Sequence, residues 1–386
     1  MEPITLSPPD ARKQLAAQVK MLAARNGLSV SAITSAEPFP ELAGFMERHI
    51  EAGHVEGMDW FTVDRARFST DVRNLHPHAK SVISVGLAYW SGPAEKPDDV
   101  PRGRISRYAW GRDYHRTLKR RLKGLQADLE ELAGRSLDTR ILVDTARIVE
   151  RAVAARAGLG WYGKNANLIV PGHGSWVMLG ELVTDLDIAP DIPSEKNCGK
   201  CTICIDNCPT HAIVEPYTIH APHCISYLTI EERGPIPHEL RPLMQDWVYG
   251  CDVCQEVCPY TGAAKVVDET DMQPASISNQ FPCLHWLLRM TDEEFGQTYF
   301  GTPVPRTKRR GLARNAAIAL GNIGTEADIP VLALTLREHD EPIVRGHAAW
   351  ALGRLGAAAE IRACTQTESD EYVRQEIDLA LTNPAR

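Results

Sequence analysis

Apolar and polar positions change period several times along the 386-residue chain, and the changes mark its organisation. ARKQLAAQVKMLAARNG carries apolar residues at helical spacing and stops at a glycine, so it predicts an amphipathic helix, and LSVSAITSA then reads as a short strand. KSVISVGLAYW (80–90) is rich in Val and Ile, closes on aromatics, and is the strongest strand candidate. A long helix is expected from Tyr114 to Ala133, then a short strand RILVD at 140–144. ERAVAARAG returns to helical spacing and ends at Gly158, and SWVMLGELVTDL reads as another buried strand. This alternation predicts an α/β domain with a mixed sheet over residues 1–190.

From about Asn197 to Tyr260 long periodic runs give way to a segment rich in Cys and Pro, within a second unit expected at 191–265. The remainder, 266–386, predicts connecting helices and then a repeat: AAIALGNIG (316–324) recurs as AAWALGRLG (348–356), a shift of 32 residues. With proline-containing connections at Ile329-Pro330 and Glu341-Pro342, these read as HEAT-like helical pairs rather than an ordinary bundle. So few repeats make a small accessory module, not a long solenoid.

Ten cysteines change the picture, because eight of them lie between Cys198 and Cys258. The N-terminus MEPITLSPPDARKQ lacks a basic stretch leading into an apolar one and lacks a twin-arginine pair, so a cytoplasmic location is expected. No apolar run approaches the roughly 18 residues of a membrane span. Clustered cysteines in that setting argue for metal or redox chemistry over disulfides. Cys198-x2-Cys201-x2-Cys204-x3-Cys208-Pro is the bacterial ferredoxin pattern for a [4Fe–4S] cluster. Cys251-x2-Cys254-x3-Cys258-Pro lacks the first cysteine of that pattern, and Cys224, 27 residues upstream, is the substitute. The fourth cysteine of each run turns away to the other cluster, so Cys198, Cys201, Cys204 and Cys258 are expected to hold one cube. Cys208, Cys224, Cys251 and Cys254 then hold the second. Two structural zincs are the rival reading, disfavoured by the paired C-x3-C-P endings.

Asp144 ends a predicted strand and precedes a glycine-rich run in which Gly158, Gly160 and Gly163 surround Trp161 and Tyr162. A carboxylate at the C-terminal end of such a strand commonly faces a ligand crevice; the other reading is a helix N-cap. The net charge of −8 disfavours a nucleic-acid partner when taken alone. Two local basic runs qualify it: Arg116, Lys119, Arg120, Arg121 and Lys123 on one predicted helix, and Arg306, Lys308, Arg309, Arg310 and Arg314.

VDTARIVERAVAARAGLGWYGKN, KSVISVGLAYW, ISRYAWGRDYH, the paired ferredoxin runs with HCISYLTIE, and the terminal repeats together resemble the epoxyqueuosine reductases, a family related to the reductive dehalogenases. The chain departs from the expected pattern at Arg147, where a proline is anticipated. The resemblance implies a nitroreductase-like, cobalamin-binding α/β domain, two [4Fe–4S] clusters and reduction of the epoxide of epoxyqueuosine at the tRNA wobble position. Asp144 is then the proton donor to the opening epoxide oxygen, with a carboxyl expected to be raised by burial near Trp161 and Tyr162. Arg67, Arg107, Tyr108, Asp144, Lys164, Asn165, Asn167 and Ser226 are the cobalamin-contact candidates, and the 306–314 run is the tRNA candidate. His115 nearly fits a cobalt lower-ligand motif, but Leu118 replaces the motif's glycine, so it is read as structural or peripheral. An external donor of ferredoxin or flavodoxin type and a monomeric state complete the expectation. A cobalamin dehalogenase and a non-catalytic ferredoxin-like electron carrier are the alternatives.

Overall fold

The computed structural model describes residues 8–382. The opening MEPITLS, part of the segment read above for a leader, and residues 383–386 lie outside the described residues. The first half contains helix α1 (Pro8–Arg25), strands β1 (Val30–Ser35) and β2 (Ser81–Ala88), helix α2 (Tyr114–Ala133), strand β3 (Thr139–Leu142), helix α3 (Glu150–Arg156) and strand β4 (Val177–Thr184). These strands form one sheet in the order β1-β2-β4-β3, and all three ladders are antiparallel. The mixed sheet expected above is therefore corrected. Alternating helix and strand patterns predict crossovers but not which strands become neighbours: β2 and β3 run the same way, but β4 lies antiparallel between them, so no parallel ladder forms in this sheet. β2 is central and buried at each of its positions, which is why its sequence runs apolar without alternating.

On one face α2 sets Leu118, Leu122, Leu125 and Leu129 into a core with Ile83, Val85, Leu87 and Trp176. Their spacing of three and four residues places them on one stripe of the helix. Gly134 ends α2 in a left-handed conformation (φ 62°), where a side chain would be strained.

The short helices of the cysteine segment include α4 (Ile203–Asp206), α5 (Ile225–Ile230) and α6 (Val253–Glu256). Behind it follow α7 (Leu284–Arg289), α8 (Lys308–Ile323), α9 (Ile329–Glu338), α10 (Pro342–Arg354), α11 (Ala358–Cys364) and α12 (Glu371–Thr382). The repeated Ala-Leu-Gly falls on α8 and α10, which pack together. A Cβ on Gly321 would meet the Trp350 ring at 2.5 Å and Ala351 at 3.1 Å, so the small residues set the helix separation. One apolar core runs from Ile105 and Trp110 through Tyr249 and Leu312 to Ala380. Residues 104–105, early in sequence, are built into it by parallel pairing with 247–249. The last helix is tied in by Glu376, whose buried carboxylate takes two hydrogen bonds from Arg241, at 2.7 and 2.8 Å.

Candidate active site

A cavity of about 740 Å³ opens where these parts meet. Tyr108, Asp113, Tyr114, His115 and Asp144 line one wall, and Ser226, Glu231 and Tyr249 from the cysteine segment line another. Pro303 and Arg306 close a third side. Asp144 stands just past the end of β3, as the strand reading anticipates, but helix α3 does not begin until Glu150, so the N-cap alternative is set aside. Its backbone lies in the left-handed region (φ 48°), which costs a non-glycine residue of order 1 to 3 kcal/mol and must be held by its surroundings. The Asp144 N–H donates to Glu150 Oε1, and the side chain is left half-exposed at the cavity wall.

The carboxylate does not act alone. His115 Nε2 lies 3.0 Å from Asp144 Oδ2, and His115 Nδ1 lies 2.8 Å from Asp113 Oδ1. Asp113 is also the N-cap of α2, accepting the His115 backbone N–H at 3.0 Å, so one side chain starts the helix and orients the imidazole. Burial disfavours a charge on His115, but the bonds to Asp113 and Asp144 outweigh it and raise its pKa to about 9. Burial likewise pushes Asp144 up. The bond from His115, its positive charge and a bond from Tyr114 pull it further the other way, and the carboxyl ends below its ordinary range. The raised carboxyl expected above is thus corrected. Trp161 packs against Cys258, Ile169 and Tyr260 instead, beside the cysteines, and neither it nor Tyr162 lines the cavity.

None of the eight clustered cysteines is in a disulfide. Those whose charges bear on Cys204 are Cys198, Cys258 and Cys201. Cys254 feels Cys224, Cys208 and, across the division, Cys204, while Cys251 feels Cys224 and Cys254, and Cys224 feels Cys208. Each group joins residues from both halves of the segment. Among the described residues no three His, Cys, Asp or Glu converge to hold a single metal ion. Four thiolates around a cubane each bind a different iron and need not do so.

A family model described as a 4Fe-4S double cluster binding domain matches residues 197–261, one for epoxyqueuosine reductase QueG (DUF1730) matches 70–145, and one for HEAT repeats matches 307–382. The epoxyqueuosine reductase of Escherichia coli K12 is 38% identical over 358 residues, 90% of this chain and 92% of that protein. That of Synechocystis is 42% identical over 278 residues, 72% of this chain and 94% of its own. The chain belongs to the epoxyqueuosine reductase family. Among solved structures, a selenomethionine-labelled epoxyqueuosine reductase superposes with a TM-score of 0.90 at 31% identity, over 96% of this chain and 99% of that one. Another, solved with an epoxyqueuosine-modified tRNA-Tyr stem loop, gives 0.88 at 31% identity, over 96% and 98%.

The residues expected to contact a cofactor divide in the structure. Tyr108, Ser226 and Asp144 line the cavity; the other cofactor candidates do not. Arg67 is paired with Glu47 at the surface, through bonds of 2.7 and 3.1 Å. Arg107 is buried among Trp90, Trp110 and Trp176 and donates to the Gly92 carbonyl at 2.8 Å. Lys164 donates to the Gly199 carbonyl, and Asn165 donates to that of Cys254 at 3.1 Å while accepting from Asn167 N–H. These three brace the cysteine loops.

The basic run divides as well. Arg314 is buried and donates to the carbonyls of Leu228, Glu232 and Gly234, so it faces no external phosphate, a correction to the expectation. Arg309 is largely buried and bonded to Asp292 and Asp340, so it too is engaged internally. Arg306 and Lys308 are exposed, Arg310 is partly so, and Arg306 reaches the cavity. The earlier basic helix spends Arg120 on Asp271 and Arg121 on Glu269. Sequence reasoning set His115 aside and passed over Asp113, Tyr114 and Glu150. The signal available was the DYH triplet at a helix start, whose Asp caps the helix while its His points back along the cap.

Proposed function

We propose that this chain reduces epoxyqueuosine in tRNA to queuosine, using cobalamin and two [4Fe–4S] clusters. The observation that carries the reading is the Asp144–His115–Asp113 chain on a cavity that also has walls from the cysteine segment. Epoxide removal as water takes two electrons and two protons. The His115–Asp144 pair carries one of these protons, the second comes from water, and the cavity lies beside the segment that would hold the clusters.

The cavity residues fit cobalamin. Tyr108, Tyr249 and Trp60 offer flat aromatic surface, while Arg65, Ser226 and Arg306 offer polar partners for peripheral amides. Both nitrogens of His115, the sole histidine of the cavity lining, are engaged by carboxylates, which fits a cobalt without a protein imidazole ligand. When bound, the cofactor supplies a strongly reducing cobalt centre for breaking the carbon–oxygen bond. His115 passes its proton from Nε2 to Asp144 Oδ2, and Asp144, facing the cavity, hands it to the substrate oxygen. Asp113 holds the imidazole in the orientation that makes this possible. Ser226 and Tyr249 each stand two residues from a cysteine of the second set, Cys224 and Cys251. The Cys208/Cys224/Cys251/Cys254 cluster is therefore the one assigned to face the cofactor, with Cys198/Cys201/Cys204/Cys258 receiving electrons from an external donor. Arg306, Lys308 and Arg310 meet tRNA phosphates near the mouth.

The test is anaerobic reconstitution with iron, sulfide and cobalamin, reaction with epoxyqueuosine-containing tRNA, and mass analysis of the nucleosides. Appearance of queuosine supports the reading. A fully loaded protein that leaves epoxyqueuosine intact overturns it. A non-catalytic electron carrier would show iron–sulfur absorption and no corrin spectrum.

A further inference from the structure

Glu150 and Glu181 are buried carboxyl groups that have no part in the chemistry above. Glu150 opens α3, and the N-cap of that helix, Val149, makes no side-chain bond to it. The Glu150 carboxylate instead accepts the N–H of Asp144, the residue held in a left-handed turn. Glu181 is in the middle of β4, opposite Leu142 of β3 and Ser84 of β2, fully buried, with neither carboxyl oxygen hydrogen-bonded. We propose that Glu150 is a positioning residue for the reaction: its carboxylate, accepting the Asp144 N–H, fixes the Asp144 turn so that the Asp144 side chain faces the cavity. The inference rests on the proposed role of Asp144.

The electrostatics agree with this geometry. Burial and the Glu150 charge keep Glu181 well above the ordinary carboxyl range, so it carries a proton at neutral pH. Burial and the Asp144 charge raise Glu150 to about 7, against the Asp144 N–H, Arg151 and His115, which favour its charged form. Tyr114 is the other titratable group that feels both Glu150 and Asp144. Glu150 is thus an anion in part of the population at neutral pH, and its charge opposes ionisation of Asp144.

Glu150→Ala removes the acceptor, while Glu150→Gln keeps an amide oxygen for the Asp144 N–H and removes only the charge. Two measurements separate the latch from the function it serves. Hydrogen exchange of peptides covering 143–149, in protein carrying its clusters, reads the turn alone. In Glu150→Ala the Asp144 amide is expected to exchange at least about tenfold faster, and in Glu150→Gln within about twofold of wild type. Single-turnover reduction by the cobalamin-loaded enzyme reads the consequence. Glu150→Ala is expected to lose about 10- to 100-fold in rate with tRNA KM within about twofold. Glu150→Gln should retain most of the rate, with its high-pH limb moved to lower pH. Unchanged exchange in Glu150→Ala overturns the latch whatever the activity. Faster exchange with an unchanged rate overturns the link to catalysis. Equal losses in both variants with an unmoved pH profile show a merely structural residue. If Glu150→Ala does not fold, Glu150→Asp replaces it: a side chain one methylene shorter draws the acceptor away from the Asp144 N–H, so exchange should rise and the rate fall by at least about threefold, and wild-type exchange and rate overturn the arrangement.

Discussion

His115 Nε2 sits 3.0 Å from Asp144 Oδ2, so the proton for the substrate oxygen is shared between an imidazole and a carboxylate. At neutral pH it resides on the imidazole, whose pKa is raised to about 9. The ion pair is fully formed below the ordinary imidazole range near 6.5 and is lost as pH rises through about 9. Single-turnover rate should therefore hold to about pH 8 and fall above about 9. His115→Ala should reduce the rate by about 10²- to 10⁴-fold and remove that limb. A variant retaining both rate and limb would show that the pair is not the proton source.

Asp144→Asn keeps the size of the side chain but has no acidic proton to give. It should fold, keep the iron–sulfur and corrin absorption, and lose about 10²- to 10⁴-fold in turnover. Full activity in single turnover removes Asp144 from the chemistry.

The elements carrying this pair were readable in the sequence, but the pairing itself was not. The run of Leu118, Leu122, Leu125 and Leu129 marks α2, because a stripe facing a core leaves a periodic trace. The cysteine spacings likewise mark the cluster segment, since local chelation requires local spacing. Strand direction leaves no such trace, and neither does the 29-residue separation that brings His115 to Asp144. Arg314 misled for a related reason. Its charge reads as surface, while three backbone carbonyls inside the fold use it as a donor.

That burial gives Arg314→Ala a consequence distinct from substrate binding. Removing the guanidinium leaves the Leu228, Glu232 and Gly234 carbonyls and the Asn315 side-chain oxygen short of a donor. The expected loss is about 3 kcal/mol or more, visible as a lowered Tm with or without tRNA present. An unchanged melting temperature together with weakened tRNA binding would place Arg314 at the interface after all.

Lys308 and Arg310 make the complementary case. Reversing both to Glu should weaken tRNA binding and flatten the dependence of log Kd on log salt by about 0.7 to 0.9 per lost phosphate contact. Arg309→Glu should instead lower Tm, because Asp292 and Asp340 lose their shared partner. Affinity measured at several salt concentrations decides; an unaltered slope in the double variant makes the segment a solvated face.

The crossed cluster assignment can be tested by double substitution, because two ligands of one cluster cannot cost two clusters. Cys204→Ser and Cys258→Ser should each remove one cluster, and together still only one, leaving about four irons per chain. Cys204→Ser with Cys208→Ser crosses the division, although these cysteines are four residues apart in sequence, and should remove both. The proposed assignment puts Cys258 with Cys204, 54 residues apart, and the packing of Cys258 and Cys198 around Trp161 and Ile169 supports it. Iron and sulfide content with low-temperature EPR of the reduced protein reads the count. If Cys204→Ser with Cys208→Ser retains one intact cluster, each run serves its own cluster and the crossing is wrong. The same spectra identify the cluster beside the cofactor. Loss of the Cys208/Cys224/Cys251/Cys254 set should abolish reduction of bound cobalamin by an external donor, since the remaining cluster then has no partner between it and the cavity.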